Sequence, residues 1–125
     1  MKQYFFAAPA IAAIVLISGA AFGQTGPTKK SDGILVTAAS MTLYTFDKDV
    51  AGSGKSACNG PCAAIWPPVS APSAQLGAPY SVVTRDDGSM QLAYNGKPLY
   101  LYAADKKPGD RAGDNFKDVW HVVKD

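Results

Sequence analysis

Glutamate is missing from this sequence; all ten acidic residues are aspartate. Aspartate competes with the helical backbone for hydrogen bonds and settles in turns, so such a chain is poorly suited to long helices. Histidine occurs once, as His121, and cysteine twice, as Cys58 and Cys62. With one imidazole, no glutamate, no nucleophile elbow and no paired-histidine protease motif, hydrolase chemistry has little to build on, and the chain is expected not to be an enzyme. Twelve basic residues stand against ten acidic ones without a basic cluster, so no nucleic-acid partner is expected. Long hydrophobic runs are lacking too. The apolar stretch Tyr4 to Ile17 falls short of the ~20 residues that cross a bilayer, and no second one follows, so no membrane span is expected.

That stretch reads differently in its context. Met1-Lys2-Gln3 supplies a positive start, and Ser18-Gly19-Ala20-Ala21-Phe22-Gly23 a run of small residues before Gln24. This three-part order is that of a secretory signal peptide over residues 1–23. No cysteine stands at the junction to carry a lipid, so the exported protein is expected to be soluble, and periplasmic or secreted. Residues 24–32, polar and carrying Gly, Pro and Lys, read as a flexible tail. A single β domain is expected over residues 33–125.

Within it, Ile34 to Thr37 and Leu43 to Phe46 have strand character and read as a hairpin. Tyr80 to Thr84 is a further strand closed by Asp86-Asp87-Gly88. Met90 to Tyr94 alternates and runs into Asn95-Gly96, a strong short hairpin signal, with Leu99 to Tyr102 as the return strand. Trp120 to Val123 makes a last strand. Pro61 at its start and Pro67 at its end allow one short helical turn through Trp66. The fold class expected is therefore mainly β, a small, loop-rich single domain with at most one short helical turn.

An internal repeat runs through it. Leu43-Tyr44-Thr45-Phe46-Asp47-Lys48-Asp49 matches Leu99-Tyr100-Leu101-Tyr102-Ala103-Ala104-Asp105 at an offset of 56, both reading Leu-Tyr-x-aromatic-x-x-Asp. Alternation puts Tyr44 with Phe46, and Tyr100 with Tyr102, on one strand face. Asp49 and Asp105 then fall beyond the strand ends. Two related hairpin repeats, about 33–66 and 80–123, are expected to pack these aromatic faces together, with Tyr and Asp bracing each hairpin end.

Around these residues the chain closely resembles a bacterial family of secreted repeats with a Tyr-x4-Asp motif, often described as predicted lipoproteins of unknown function. The resemblance rests on Tyr44 to Asp49, Cys58-Asn59-Gly60-Pro61-Cys62, Ile65-Trp66-Pro67-Pro68, Tyr94 to Asp105, Pro108-Gly109-Asp110 and Val119 to Val123. It implies an exported envelope protein of paired β repeats and carries no general activity with it.

In an oxidising compartment Cys58 and Cys62 are expected to form a disulfide. Its small ring contributes only about 2 kcal/mol by loop-closure entropy, so its work is local, pinning the Asn59-Gly60-Pro61 turn beneath Trp66. A thiol-redox role fits less well, because the spacing exceeds Cys-x-x-Cys and the helices of a thioredoxin fold are missing. Copper is the stronger alternative, with Cys58, Cys62 and His121 resembling the ligand set of Sco-type chaperones, and with Met41 and Met90 as thioethers. Asp105, Asp110 and Asp114 invite a calcium site, but three cations lie among them and turn chemistry explains them as well. Asp47 and Asp49 imitate a catalytic carboxylate pair, yet residues two apart on an extended end usually serve turns. The aromatics Tyr44, Phe46, Trp66, Tyr94, Tyr100, Tyr102 and Trp120 line either a core or a sugar- or peptide-binding groove. The function expected is a non-catalytic extracytoplasmic binding or interaction module without a cofactor, its partner an envelope protein or a small ligand. The alternative is a copper-binding protein.

Overall fold

Short β-branched and aromatic runs, interrupted every few residues by Gly, Asn or Asp, give this chain short strands and many turns. The computed structural model describes residues 27–73 and 76–124. The expected signal peptide, residues 1–23, lies outside the described residues. Among the described residues seven strands form: β1 (Thr28–Ser31), β2 (Ile34–Thr37), β3 (Tyr44–Phe46), β4 (Tyr80–Thr84), β5 (Met90–Tyr94), β6 (Lys97–Pro98) and β7 (Trp120–Val122). A five-residue helix, α1 (Pro61–Ile65), starts at Pro61 as expected, and a 3₁₀ turn spans Phe116–Asp118. No helix among the described residues is long and apolar enough to cross a membrane.

Three expectations change. Part of the supposed tail is β1, paired antiparallel with β2 around the Asp32-Gly33 turn. Asp32 (φ 51°) and Gly33 (φ 82°) both take left-handed backbone, the geometry of a tight hairpin that short polar and glycine residues tolerate. The polar composition of 28–31 reflects three exposed side chains on an edge strand, not an absence of structure. The second change concerns β3. The segment leading into it touches β2 through a bridge between Val36 and Thr42, but the partner of β3 is β7, with Tyr44 opposite Val122 and Phe46 opposite Trp120. The β4–β5 hairpin and the Asn95-Gly96 turn form as read, but a third expectation changes: the regular return strand is Lys97–Pro98, and Leu99 to Tyr102 carries only isolated bridges at Tyr100.

The two repeats meet at their tyrosines. Tyr44 and Tyr100 face each other antiparallel and exchange both backbone hydrogen bonds, each at 2.9 Å. On the outer side of Tyr44 runs β7; on the outer side of Tyr100 runs Trp66 to Val69, bridged at Pro68. The pairings match in detail. Asp47 N–H donates to Val119 O as Ala103 N–H donates to Ile65 O, and Leu35 N–H donates to Val123 O as Leu92 N–H donates to Val69 O. Each half is thus the image of the other about an axis through the Tyr44–Tyr100 pair.

The core follows that symmetry. Leu35, Leu43, Leu92 and Leu99, two from each repeat, form one buried cluster. The other centres on aromatic rings. Phe46, Trp120, Trp66 and Tyr102 lie face to face in that order, with centroids 4.2, 3.8 and 4.2 Å apart and the two indoles within 2° of parallel. Tyr44 meets Trp66 edge-on at 5.3 Å, and Tyr100 meets Trp120 edge-on at 5.1 Å. The rings expected to share an interior do so.

Gly113 lies against this stack: a Cβ there would fall 2.6 Å from Trp66 Cη2. Forcing an atom into a packed core typically costs 1–3 kcal/mol. Gly113→Ala is therefore expected to lower stability by about that amount in urea unfolding.

Candidate functional site

Side chains of a strand alternate, so Tyr44 and Phe46 point into the aromatic core while Thr45 points away, and Asp47 just past the strand continues on Thr45's side. On β7, Trp120 and Val122 point inward and His121 outward, directly opposite Thr45. Register and alternation thus bring Asp47 and His121 together. His121 Nε2 lies 2.9 Å from Asp47 Oδ2, and Nδ1 lies 3.0 Å from Asn115 Oδ1. Both partners are part-exposed, 34% for His121 and 50% for Asp47. The pair borders a cavity of about 320 Å³, also lined by Tyr94, Asn95, Lys97 and Lys124.

The internal symmetry shows what the fold itself needs. In the other half, Leu101 occupies the place of Thr45, Ala103 that of Asp47 and Pro67 that of His121. That side folds with no titratable group at those places. That half of the fold forms without either group, so Asp47 and His121 are particular to the other half.

The motif residues behave in the opposite way. Tyr44 donates its hydroxyl to Asp105 at 2.6 Å, and Tyr100 donates to Asp49 at 2.6 Å. The bracing expected within each repeat is crossed: each tyrosine is held by the aspartate of the other repeat. The second oxygen of each carboxylate takes a backbone N–H, from Ala57 for Asp49 and from Ala112 for Asp105. Burial, reinforced by the carboxylate partner, pushes both phenols well above their ordinary pKa. Burial also raises Asp49, against the opposing effects of the Tyr100 hydroxyl, the Ala57 N–H and the Arg85 charge.

Beside Tyr100 lies a cation the sequence did not single out. Arg85 is 5% exposed. It donates to Ser56 Oγ and Gln91 Oε1 through Nη1, and to Cys58 O and Asn59 Oδ1 through Nη2. It ties the disulfide loop to β5. Its position after a strand and before Asp86-Asp87-Gly88 reads as an exposed turn flank, and only the long-range acceptors explain its burial.

The remaining candidates separate. Cys58 and Cys62 are joined, S–S 2.04 Å, and Cys58 packs with Trp66 in the aromatic core. His121 points away from that core. The copper donor set is therefore not assembled in this oxidised form, in which neither sulfur is a thiolate. The supposed calcium loop disperses its carboxylates: Asp105 on Tyr44, Asp110 on the N–H groups of Lys106 and Lys107, Asp114 on Val122 N–H. Among the described residues no three His, Cys, Asp or Glu side chains gather as a metal site. Asp47 and Asp49 likewise diverge, one to His121 and one to Tyr100. Of the seven aromatics, Tyr44, Trp66, Tyr100 and Trp120 are buried, and Tyr94 borders the cavity.

A family model described as a secreted repeat of unknown function matches the chain twice, over residues 26–70 and 81–124. No curated protein and no solved structure matches it.

Crossed bracing has a direct signature. A double-mutant cycle between Tyr44→Phe and Asp105→Asn is expected to show a coupling of about 1.5–3 kcal/mol, as for hydrogen bonds to charged groups. The cycle between Tyr44→Phe and Asp49→Asn, within one motif, is expected to show almost none; equal values would contradict the crossing. Because both phenols are raised, the unfolded chain loses their protons first as pH climbs. Stability is thus full below pH ~10 and falls above it. Urea midpoints taken from neutral to alkaline pH are expected to fall more steeply for the parent than for Tyr44→Phe/Tyr100→Phe.

Proposed function

Because the chain belongs to this family of secreted repeats, we propose that it acts outside the cytoplasm, in the periplasm or released from the cell, as a non-catalytic binding module. Its ligand site is the cavity at Asp47 and His121. The observation that carries this reading is the asymmetry just described: a carboxylate–imidazole pair borders a cavity on one side of a fold that does without both groups on the other. The tyrosine–carboxylate pairs, the two tryptophans and the four leucines that build the core recur in both halves.

Size and lining agree with binding. About 320 Å³ lies at the lower end of small-molecule sites. The lining mixes hydrogen-bonding groups (Asn95, Thr45, Asp47, His121) with two lysines and the Tyr94 ring. That supplies polar contacts on several sides and a flat apolar surface, which suits a small polar molecule. For catalysis the cavity offers an imidazole but no cysteine or serine, and both ring nitrogens are taken up by side-chain oxygens.

The test is native mass spectrometry of the protein isolated from the exported fraction. A small molecule is expected to travel with the parent and to be lost from Asp47→Ala/His121→Ala, whose melting temperature stays within a few degrees of the parent's. Equal retention by the variant would move the site elsewhere. Conversion of the molecule on incubation would show that the module is an enzyme.

A further inference from the structure

Four aromatic rings in face-to-face contact cross the core, and the two tyrosines touching them edge-on each donate to a carboxylate. Packing alone does not ask for this combination. Phenylalanine at positions 44 and 100 would fill nearly the same space without burying a carboxylate beside it, and exchanging buried polar pairs for apolar residues is often neutral or stabilising. Asp105 is 8% exposed, and desolvation disfavours the charged form of Asp49. The fold thus maintains, twice, a phenol with a proton acceptor 2.6 Å away, in contact with stacked indoles.

Those are the parts that one-electron oxidation of an aromatic side chain requires. Indoles give up an electron without first losing a proton, and rings 3.8–4.2 Å apart exchange an electron through direct overlap of their faces. A phenol gives up an electron readily only when its proton leaves with it, which demands a base within hydrogen-bond reach. Tyr102, at one end of the stack, is partly exposed and its hydroxyl makes no hydrogen bond among the described residues. It therefore connects the indoles to solvent.

We propose that the stack is a one-electron relay, through which an outer-sphere oxidant such as a high-potential metal complex draws electrons from buried Tyr44 and Tyr100. The oxidant takes one electron through Tyr102 and is reduced by one. The electron deficit resides on Trp66 and Trp120 as an indole radical cation. Tyr44 then returns one electron to the indole while its phenolic proton passes to Asp105 Oδ2, leaving neutral tryptophan, a neutral tyrosyl radical and a protonated carboxyl. Tyr100 and Asp49 offer the same exit at the other end. A one-electron donor reverses the sequence, the carboxyl returning the proton to the phenolate oxygen. Charge and protons balance without any other group. The relay uses the core and not the cavity, so it stands independently of the binding reading.

The experiment oxidises the disulfide-intact protein with a flash-generated ruthenium(III) polypyridyl complex and follows the radicals by transient absorption and freeze-quench electron paramagnetic resonance. A tryptophan radical is expected first, decaying into a tyrosyl radical. In Asp49→Asn/Asp105→Asn the amide has no basic oxygen to take the phenolic proton, so the signal is expected to stay on tryptophan. An unchanged tyrosyl yield in that variant, or in Tyr44→Phe/Tyr100→Phe, would put the radical on an exposed tyrosine and overturn the proposal. The parent provides a reading that no folding defect can obscure. In heavy water the tryptophan-to-tyrosine step is expected to slow severalfold, because the proton moves with the electron; an unchanged rate would also overturn it.

Discussion

Everything in this fold hangs on one antiparallel pairing, Tyr44 against Tyr100, and on the two carboxylates that receive their hydroxyls. The backbone exchange sets the two repeats back to back. The crossed hydrogen bonds then fix how each strand end sits over the opposite loop, because each aspartate also takes an N–H from the loop that follows it. A buried tyrosine needs a partner for its hydroxyl, since leaving that group unpaired costs about 1–3 kcal/mol. Meeting the need with a residue from the other repeat makes the two halves interdependent. With both hydroxyls satisfied, the rings are free to serve as the flanks of the aromatic stack.

The internal symmetry also separates roles that composition alone leaves mixed. Leu35 and Leu92, Leu43 and Leu99, Trp66 and Trp120, Tyr44 and Tyr100 come in pairs because both halves need them to close the core. The Asp47–His121 pair has no counterpart, and neither has the Arg85 network. These two exceptions differ in kind. Arg85 is enclosed by acceptors and secures the loop around Cys58, a structural task on one side of the molecule. His121 and Asp47 are half open to solvent beside a cavity, where a structural task is harder to name.

Much of the fold was legible in the sequence, for identifiable reasons. Asn95-Gly96 announced its hairpin because few other residue pairs accept two successive left-handed conformations, and Pro61 with Pro67 bracketed the helical turn. Alternation placed Tyr44 with Phe46 and Tyr100 with Tyr102 correctly. The errors came from long-range choices. Nothing local distinguishes pairing of Tyr44–Phe46 with Ile34–Thr37 from pairing with Trp120–Val122, and the difference decides which residue His121 meets. Residues 28–31 looked unstructured because an exposed edge strand has the polar composition of a tail. That Tyr and Asp brace the strand ends was legible, but which repeat supplies each partner was not, because the geometry of two facing strands selects it. The Asp47–His121 pair was within reach: the alternation that set Phe46 inward sets Asp47 on Thr45's face, and only the identity of the facing strand was missing.

One further meaning attaches to the crossed tyrosines. In a symmetric dimer, residue i of one subunit holds j of the other, and j holds i in return. The contacts between these repeats have that form, so the molecule is a dimer of half-domains joined end to end by the segment between residues 70 and 80. Tethering replaces a bimolecular encounter with an intramolecular one, whose effective concentration reaches millimolar for a short connection. It also frees the two copies to diverge, since a substitution in one no longer appears in its mate. A side chain such as His121 could therefore arise once without being duplicated across the axis.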